Sequence, residues 1–198
     1  MLDSTAVSSP PIAPIRRQPA LPNGVLGMLI FIVTEIMLFA GMISAFMIVR
    51  TTANGPWPPP DQPRLPVEAT LINTAALLAS GVFLFLSHQA YSRGERDRFR
   101  VRLLATAALG AFFVLFQGAE WVQLLHQGLT LTSSTHGAFF YLIVGTHAVH
   151  AIAAIWLVVS CYLAFLRHEL TMSRFGAAQA LWYFVVGMWP ILYVRVYL

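Results

Sequence analysis

Lysine is absent from this sequence, cysteine occurs once, and charged residues make up only 10% of its 198 positions. Each shortage excludes something. Soluble domains carry about 25% charged residues, so a chain that is 58% hydrophobic, with a mean hydropathy of +0.70, reads as an integral membrane protein. All twelve basic residues are arginines set between apolar runs, so the net charge of +4 reads as membrane orientation rather than a nucleic-acid footprint. Nucleic acid is therefore not expected as a partner. Cys161 has no second thiol to pair with, which excludes an internal disulfide and leaves a thiolate metal site without companions. It reads as a small hydrophobe.

Five apolar runs are each long enough to cross a bilayer core, which needs about 20 helical residues. They fall near 24–49, 68–91, 102–125, 137–166 and 176–197. The expectation is an all-α polytopic bundle of five transmembrane helices forming one domain over 24–198, preceded by a Pro- and Ser-rich flexible tail over 1–23 that has no secretory cleavage pattern. In the second run Asn73, Thr74, Ser80 and Gly81 are the small and polar groups that allow helices to approach and hydrogen-bond. If the tail is cytoplasmic, Arg16, Arg17, Arg93, Arg96, Arg98, Arg100, Arg102, Arg167 and Arg174 lie inside, and only Arg50, Arg64 and Arg195 lie outside. That bias predicts a cytoplasmic N-terminus and a periplasmic C-terminus. The outer loop NGPWPPPDQPRLP is too rich in proline for helix and is expected as an extended cover with Trp57 at the interface. The stretch SRGERDRFRVR should lie at the lipid surface, with Arg93, Arg96 and Arg98 toward anionic head groups.

Within the runs, a few polar groups stand out. A carboxylate in hydrocarbon costs on the order of 3 kcal/mol on insertion scales, so Glu35 needs a partner or a neutral form. Counting 1.5 Å per residue puts Glu35 about 16 Å and His147 about 15 Å from opposite faces of a core about 30 Å thick, so a pair between them is geometrically open. The alternative, and the commoner case for buried polar groups, is that each bonds to a neighbouring Ser or Thr or to a backbone group. Gln117 and Glu120, and His147 and His150, are three apart and share a helix face. Glu120 is expected near the outer boundary, solvated by water or head groups. A bound haem would require histidines from two helices at one depth, and a metal three or four converging ligands. Only His147 and His150 are placed mid-membrane, both on one helix, so no catalytic, cofactor or metal site is expected in this chain.

The segments GMLIFIVTEIMLFAG, then WPPP followed by TLINTAALLASG, then LGAFFVLFQGAEW with its trailing HQGLT, and GAFFYLIVGTHAVHAI resemble, in order and spacing, subunit III of the haem-copper respiratory oxidases. The resemblance covers nearly everything from residue 24 onward. It implies the five-helix form of that subunit, which corresponds to the larger members without their first two helices. It also implies an accessory, non-catalytic role in a proton-translocating terminal oxidase fed by cytochrome c or quinol: assembly, structural phospholipid binding and sustained proton uptake by the catalytic subunit. The partners implied are subunits I and II, which would hold the haem and copper, in a bacterial inner membrane. By the same resemblance Glu35 is the family's membrane-buried glutamate, and Glu120, His147 and His150 match its other polar motif positions. The last helix departs: Tyr183 and Val186 stand where the family has His and Asp, and Pro190 predicts a kink. A haem-bearing anchor or a small proton or solute transporter are the rival readings, the latter requiring a continuous polar path.

Overall fold

The computed structural model describes residues 21–53, 55, 57 and 63–198. The tail expected over 1–23, with Arg16 and Arg17, lies outside them apart from its last three residues, as does most of the proline-rich loop. Five helices follow one another: α1 (Asn23–Thr52), α2 (Val67–Ser92), α3 (Arg96–His126), α4 (Thr135–Leu166) and α5 (Met172–Leu192), the last continued by a π-helical turn, Tyr193–Tyr197. Each is long and apolar enough to span a membrane. No strand occurs among the described residues.

The largest boundary difference is at α3, which starts at Arg96 rather than near 102, so most of the arginine-rich stretch is helical. The cause is a tight reversal. Glu95 N–H donates to Ala90 C=O at 2.9 Å and Gly94 N–H to Tyr91 C=O at 3.1 Å, with Gly94 at φ +71°. This left-handed glycine closes the end of α2 and leaves the chain free to re-enter helix at once. The same hydrogen-bond pattern ends α3 at Gly128 and α4 at His168. Arg93, Arg96 and Arg98 are exposed. Arg96 approaches His168 Nδ1 at 2.7 Å and lies 5.2 Å over the Phe165 ring, while Arg98 pairs with Glu95 at 3.0 Å.

Helices α2, α3, α4 and α5 close a ring, each packed on the next and α5 back on α2, and α1 lies outside it against α4 and α5. Burial follows that placement: 56% of the most apolar stretch of α5 is buried but only 6% of that of α1. Between α2 and α5 the polar residues act as the sequence implied. The indole N–H of Trp182 donates to Ser80 Oγ at 3.1 Å and that of Trp189 to Thr74 Oγ1 at 2.8 Å. Asn73 donates from Nδ2 to the Phe113 carbonyl at 3.2 Å, tying α2 to α3. Gly110 on α3 makes room for the Trp182 ring, which a Cβ there would overlap, and a Cβ on Gly81 would sit 3.1 Å from Val186. Val186, standing where the resemblance expects an aspartate, is buried and apolar against α2. Pro190 lacks the N–H that would continue the ladder, and the helix shifts to the wider π turn three residues later. Tyr183 is 40% exposed on the outer side of α5.

Candidate functional site

The polar groups singled out in the sequence fall into two places. Gln117 and Glu120 on α3 lie against the start of α2 and the π turn after α5. Glu120 is only 5% exposed, which corrects the expectation of a solvated boundary carboxylate. Its oxygens face the Thr70 hydroxyl at 3.1 and 3.2 Å, and Oε2 accepts from Gln117 Nε2 at 3.1 Å. Gln117 Nε2 also donates to the Tyr197 hydroxyl at 3.0 Å. Thr70 in addition reaches the Pro66 carbonyl at 2.8 Å. Desolvation is offset here by hydrogen bonds drawn from three elements, which is the condition for a buried polar group to persist. The depth count misplaced Glu120 because it measured only distance along α3. It took no account of Tyr197, which the π turn brings from the far end of the chain onto the Gln117 amide beside the carboxylate.

On the other side, Glu35 of α1 meets α4, and its partner there is His150, not His147. Glu35 Oε2 lies 3.0 Å from His150 Nε2, the two side chains being 14% and 13% exposed. The separation is that of an ion pair, but the angles fall outside a hydrogen bond, and Oε2 has no other partner. His150 Nδ1 is 2.8 Å from the Thr146 carbonyl. A carbonyl only accepts, so Nδ1 carries a hydrogen. That leaves Nε2 as the nitrogen that faces the carboxylate.

His147 is 1% exposed and neither ring nitrogen has a partner. It sits among Trp189, Phe113 and Phe39, with centroids 5.0, 6.1 and 6.4 Å away. The pair with His147 that depth left open is not formed, for a geometric reason. The helices of 30 and 32 residues are about 45–48 Å long and overrun a core of about 30 Å. Residue counts from the ends of apolar runs therefore carry an error of about one turn. Three positions along α4 also rotate the side chain by about 60°, which brings His150 rather than His147 round to α1. Phe31 and Phe39 hold the His150 ring from α1, at 6.3 and 5.7 Å.

Trp57 is half-buried, edge-on to His136 at 5.3 Å and to Phe46 at 5.9 Å; it packs inward as well as lying at the bundle end. Sequence reading missed Thr70 and Tyr197 as partners of Glu120, and His136 as a buried residue. The signal for Thr70 was present: it lies one helical turn before Thr74 in a run already marked by polar groups. No group of three or more His, Cys, Asp or Glu side chains converges among the described residues.

This is a multi-pass all-α membrane protein whose ionisable groups are scattered as isolated pairs rather than gathered round a reaction centre. The sequence model of cytochrome c oxidase subunit III matches residues 17–198. Cytochrome c oxidase subunit 3 of Dasypus novemcinctus is 34% identical over 179 residues, covering 86% of this chain and 67% of that protein, and those of Felis catus and Tragelaphus imberbis are 33% identical over the same spans. The chain belongs to the cytochrome c oxidase subunit III family, the accessory subunit of an aerobic terminal oxidase of the respiratory chain.

Proposed function

We propose that this chain carries no electrons and that it supports the assembly and sustained turnover of a proton-translocating oxidase, packing against subunits I and II, which would hold the haem and copper. The observation that carries this reading is the placement of Glu35 and His150. They meet at 3.0 Å between α1 and α4, at the edge of the bundle rather than along a path through it. Between them and Glu120 stands His147, unpartnered and caged by aromatic rings, which favours an accessory role over a transporter with a continuous polar route.

In this reading the pair fixes α1 on the α4–α5 face. The outward surface of α1, where Ile30, Val33 and Met37 are 58–70% exposed, faces the catalytic subunit or lipid. The N-terminus is cytoplasmic and the C-terminus periplasmic in a bacterial inner membrane, and Arg93, Arg96 and Arg98 meet anionic head groups. The residues of functional weight are Glu35, His150, His147, Gln117 and Glu120. Whether the electron donor is cytochrome c or quinol is a property of the partner subunits.

The test is oxygen consumption and proton pumping by the complex that co-purifies with the chain, comparing wild type with Glu35→Gln. Oxygen reduction is expected to persist, with any loss seen as weaker assembly or faster inactivation during turnover. Loss of all pumping in a fully assembled variant would make Glu35 a proton conductor and end the accessory reading.

A further inference from the structure

Three helices end in the same hydrogen-bonded reversal, and one of them departs from the others in the residue it uses. At the ends of α2 and α3 the left-handed position is held by Gly94 at φ +71° and Gly128 at φ +89°, but at the end of α4 it is held by His168 at φ +61°. A Cβ in that conformation is disfavoured. The backbone bonds of the α4 end run from His168 N–H to Phe165 C=O at 3.1 Å and from Glu169 N–H to Ala164 C=O at 2.9 Å. Glycine would make both, so the reversal itself does not require an imidazole.

The imidazole reaches across the bundle end to a different helix. Arg96, the first residue of α3, brings Nη2 to 2.7 Å from His168 Nδ1. A guanidinium stays protonated and only donates, so Nδ1 is the bare nitrogen of a neutral ring. The same guanidinium lies 5.2 Å over the Phe165 ring of α4, and both residues line a cavity of about 310 Å³ with Tyr91, Glu95 and Phe99. The other charged or titratable groups at this end are engaged elsewhere or point to solvent. Glu95, in the α2–α3 turn, pairs with Arg98 at 3.0 Å, and the Tyr91 hydroxyl of α2 donates to Leu170 C=O at 3.3 Å. Arg167 and Glu169 are exposed on either side of His168 and share a separate cavity with Arg174 of α5. Among the described residues no carboxylate stands at ion-pair distance from the His168 ring.

We propose that Arg96 and His168 form a pH-sensitive clasp between the start of α3 and the end of α4, closed while the imidazole is neutral and opened when it takes a proton. A proton on Nδ1 replaces the acceptor by a donor and sets a second cation against the guanidinium, so the contact is present at higher pH and lost as pH falls. With no carboxylate at hand, nothing holds the charged ring in place. Opening releases the guanidinium from Phe165 and loosens the bundle end, while α3 stays tied to α4 one turn further in, where Arg100 Nε donates to the Tyr162 hydroxyl at 3.3 Å. The clasp does not depend on which way the chain is inserted.

The test is amide hydrogen exchange, read by mass spectrometry on the full chain in detergent micelles at about pH 8 and about pH 5.5, the range in which histidine changes charge. After correction for intrinsic exchange, the segments around Gly94–Phe99 and Arg167–Leu170 in the wild type should exchange roughly threefold faster at the lower pH, the size expected of an exposed charge-assisted contact. His168→Gly suits the left-handed backbone and keeps the end hydrogen bonds, so the variant should fold, and the ratio between the two pH values should fall to about one. Arg96→Gln, at an exposed position, should abolish the ratio in the same way. His126→Gln, at the opposite end of α3, should leave it as in the wild type. A wild-type ratio of one would overturn the proposal. So would a ratio that survives in His168→Gly, which would make His168 an ordinary helix cap, one that survives in Arg96→Gln, or one that disappears in His126→Gln.

Discussion

Glu120 and Glu35 are both carboxylates on apolar membrane helices, and the chain treats them in opposite ways. Glu120 lies inside the four-helix ring, where a hydroxyl from α2 and an amide from its own helix converge on it and Tyr197 closes the amide from above. Glu35 lies on the helix outside the ring and has one histidine. Inside the ring, burial forces a network, because each polar atom left unmatched is costly. On the outer helix one imidazole at ion-pair distance stands in place of a network.

The comparison breaks first if the two carboxylates prove equally important for stability. Glu120→Ala takes away the acceptor that the Thr70 hydroxyl and Gln117 Nε2 face in the core and should cost about 2–3 kcal/mol. Glu35→Ala should cost less than about 1 kcal/mol, in line with typical membrane hydrogen bonds. Reversible unfolding in mixed detergent micelles measures both, and similar costs would remove the distinction.

Chemical reactivity sharpens it next. A hydrophobic carbodiimide needs a protonated acid it can reach, so Glu35 should take most of the label and Glu120 little, with a water-soluble reagent reaching either poorly. His150→Phe removes the imidazole 3.0 Å from Oε2 and leaves the carboxyl without an ion-pair partner among the described residues, so labelling of Glu35 should rise. Peptide mapping by mass spectrometry reads this, and preferential labelling of Glu120 would place the exposed acid in the wrong half of the molecule.

A smaller effect is expected at the indole locks within the ring. Trp189→Phe keeps the ring packing and loses one hydrogen bond, and the Thr74 hydroxyl still donates to the Thr70 carbonyl at 2.7 Å, so the cost should be about 1 kcal/mol. The smallest effect belongs to His147. Neither of its nitrogens is used, so His147→Phe should change stability by less than about 1 kcal/mol, within the range of volume-conserving swaps. A larger loss in the same micelle titration would mean that the imidazole has a partner that its aromatic cage conceals.

The five spans, the absence of a disulfide, the polar seam of α2 and the family were legible in the sequence. Each depends on composition, local run length or motif order, and none requires knowing which helix faces which. Asn73, Thr74, Ser80 and Gly81 announced a contact face by their size and polarity alone, and the structure places indoles, a carbonyl and Val186 against them. Tertiary structure decided the partners. That His150 rather than His147 meets Glu35 depends on rotation about α4 and on how far helices longer than the bilayer core slide past one another. That Glu120 is buried depends on Tyr197, 77 positions away in the chain, and on the π turn that swings it over the α2–α3 groove. Periodicity along one helix fixes the direction of a side chain only relative to its own neighbours. What waits at the end of that direction is set by interhelical packing, in which small residues such as Gly110 and large ones such as Trp182 select the register.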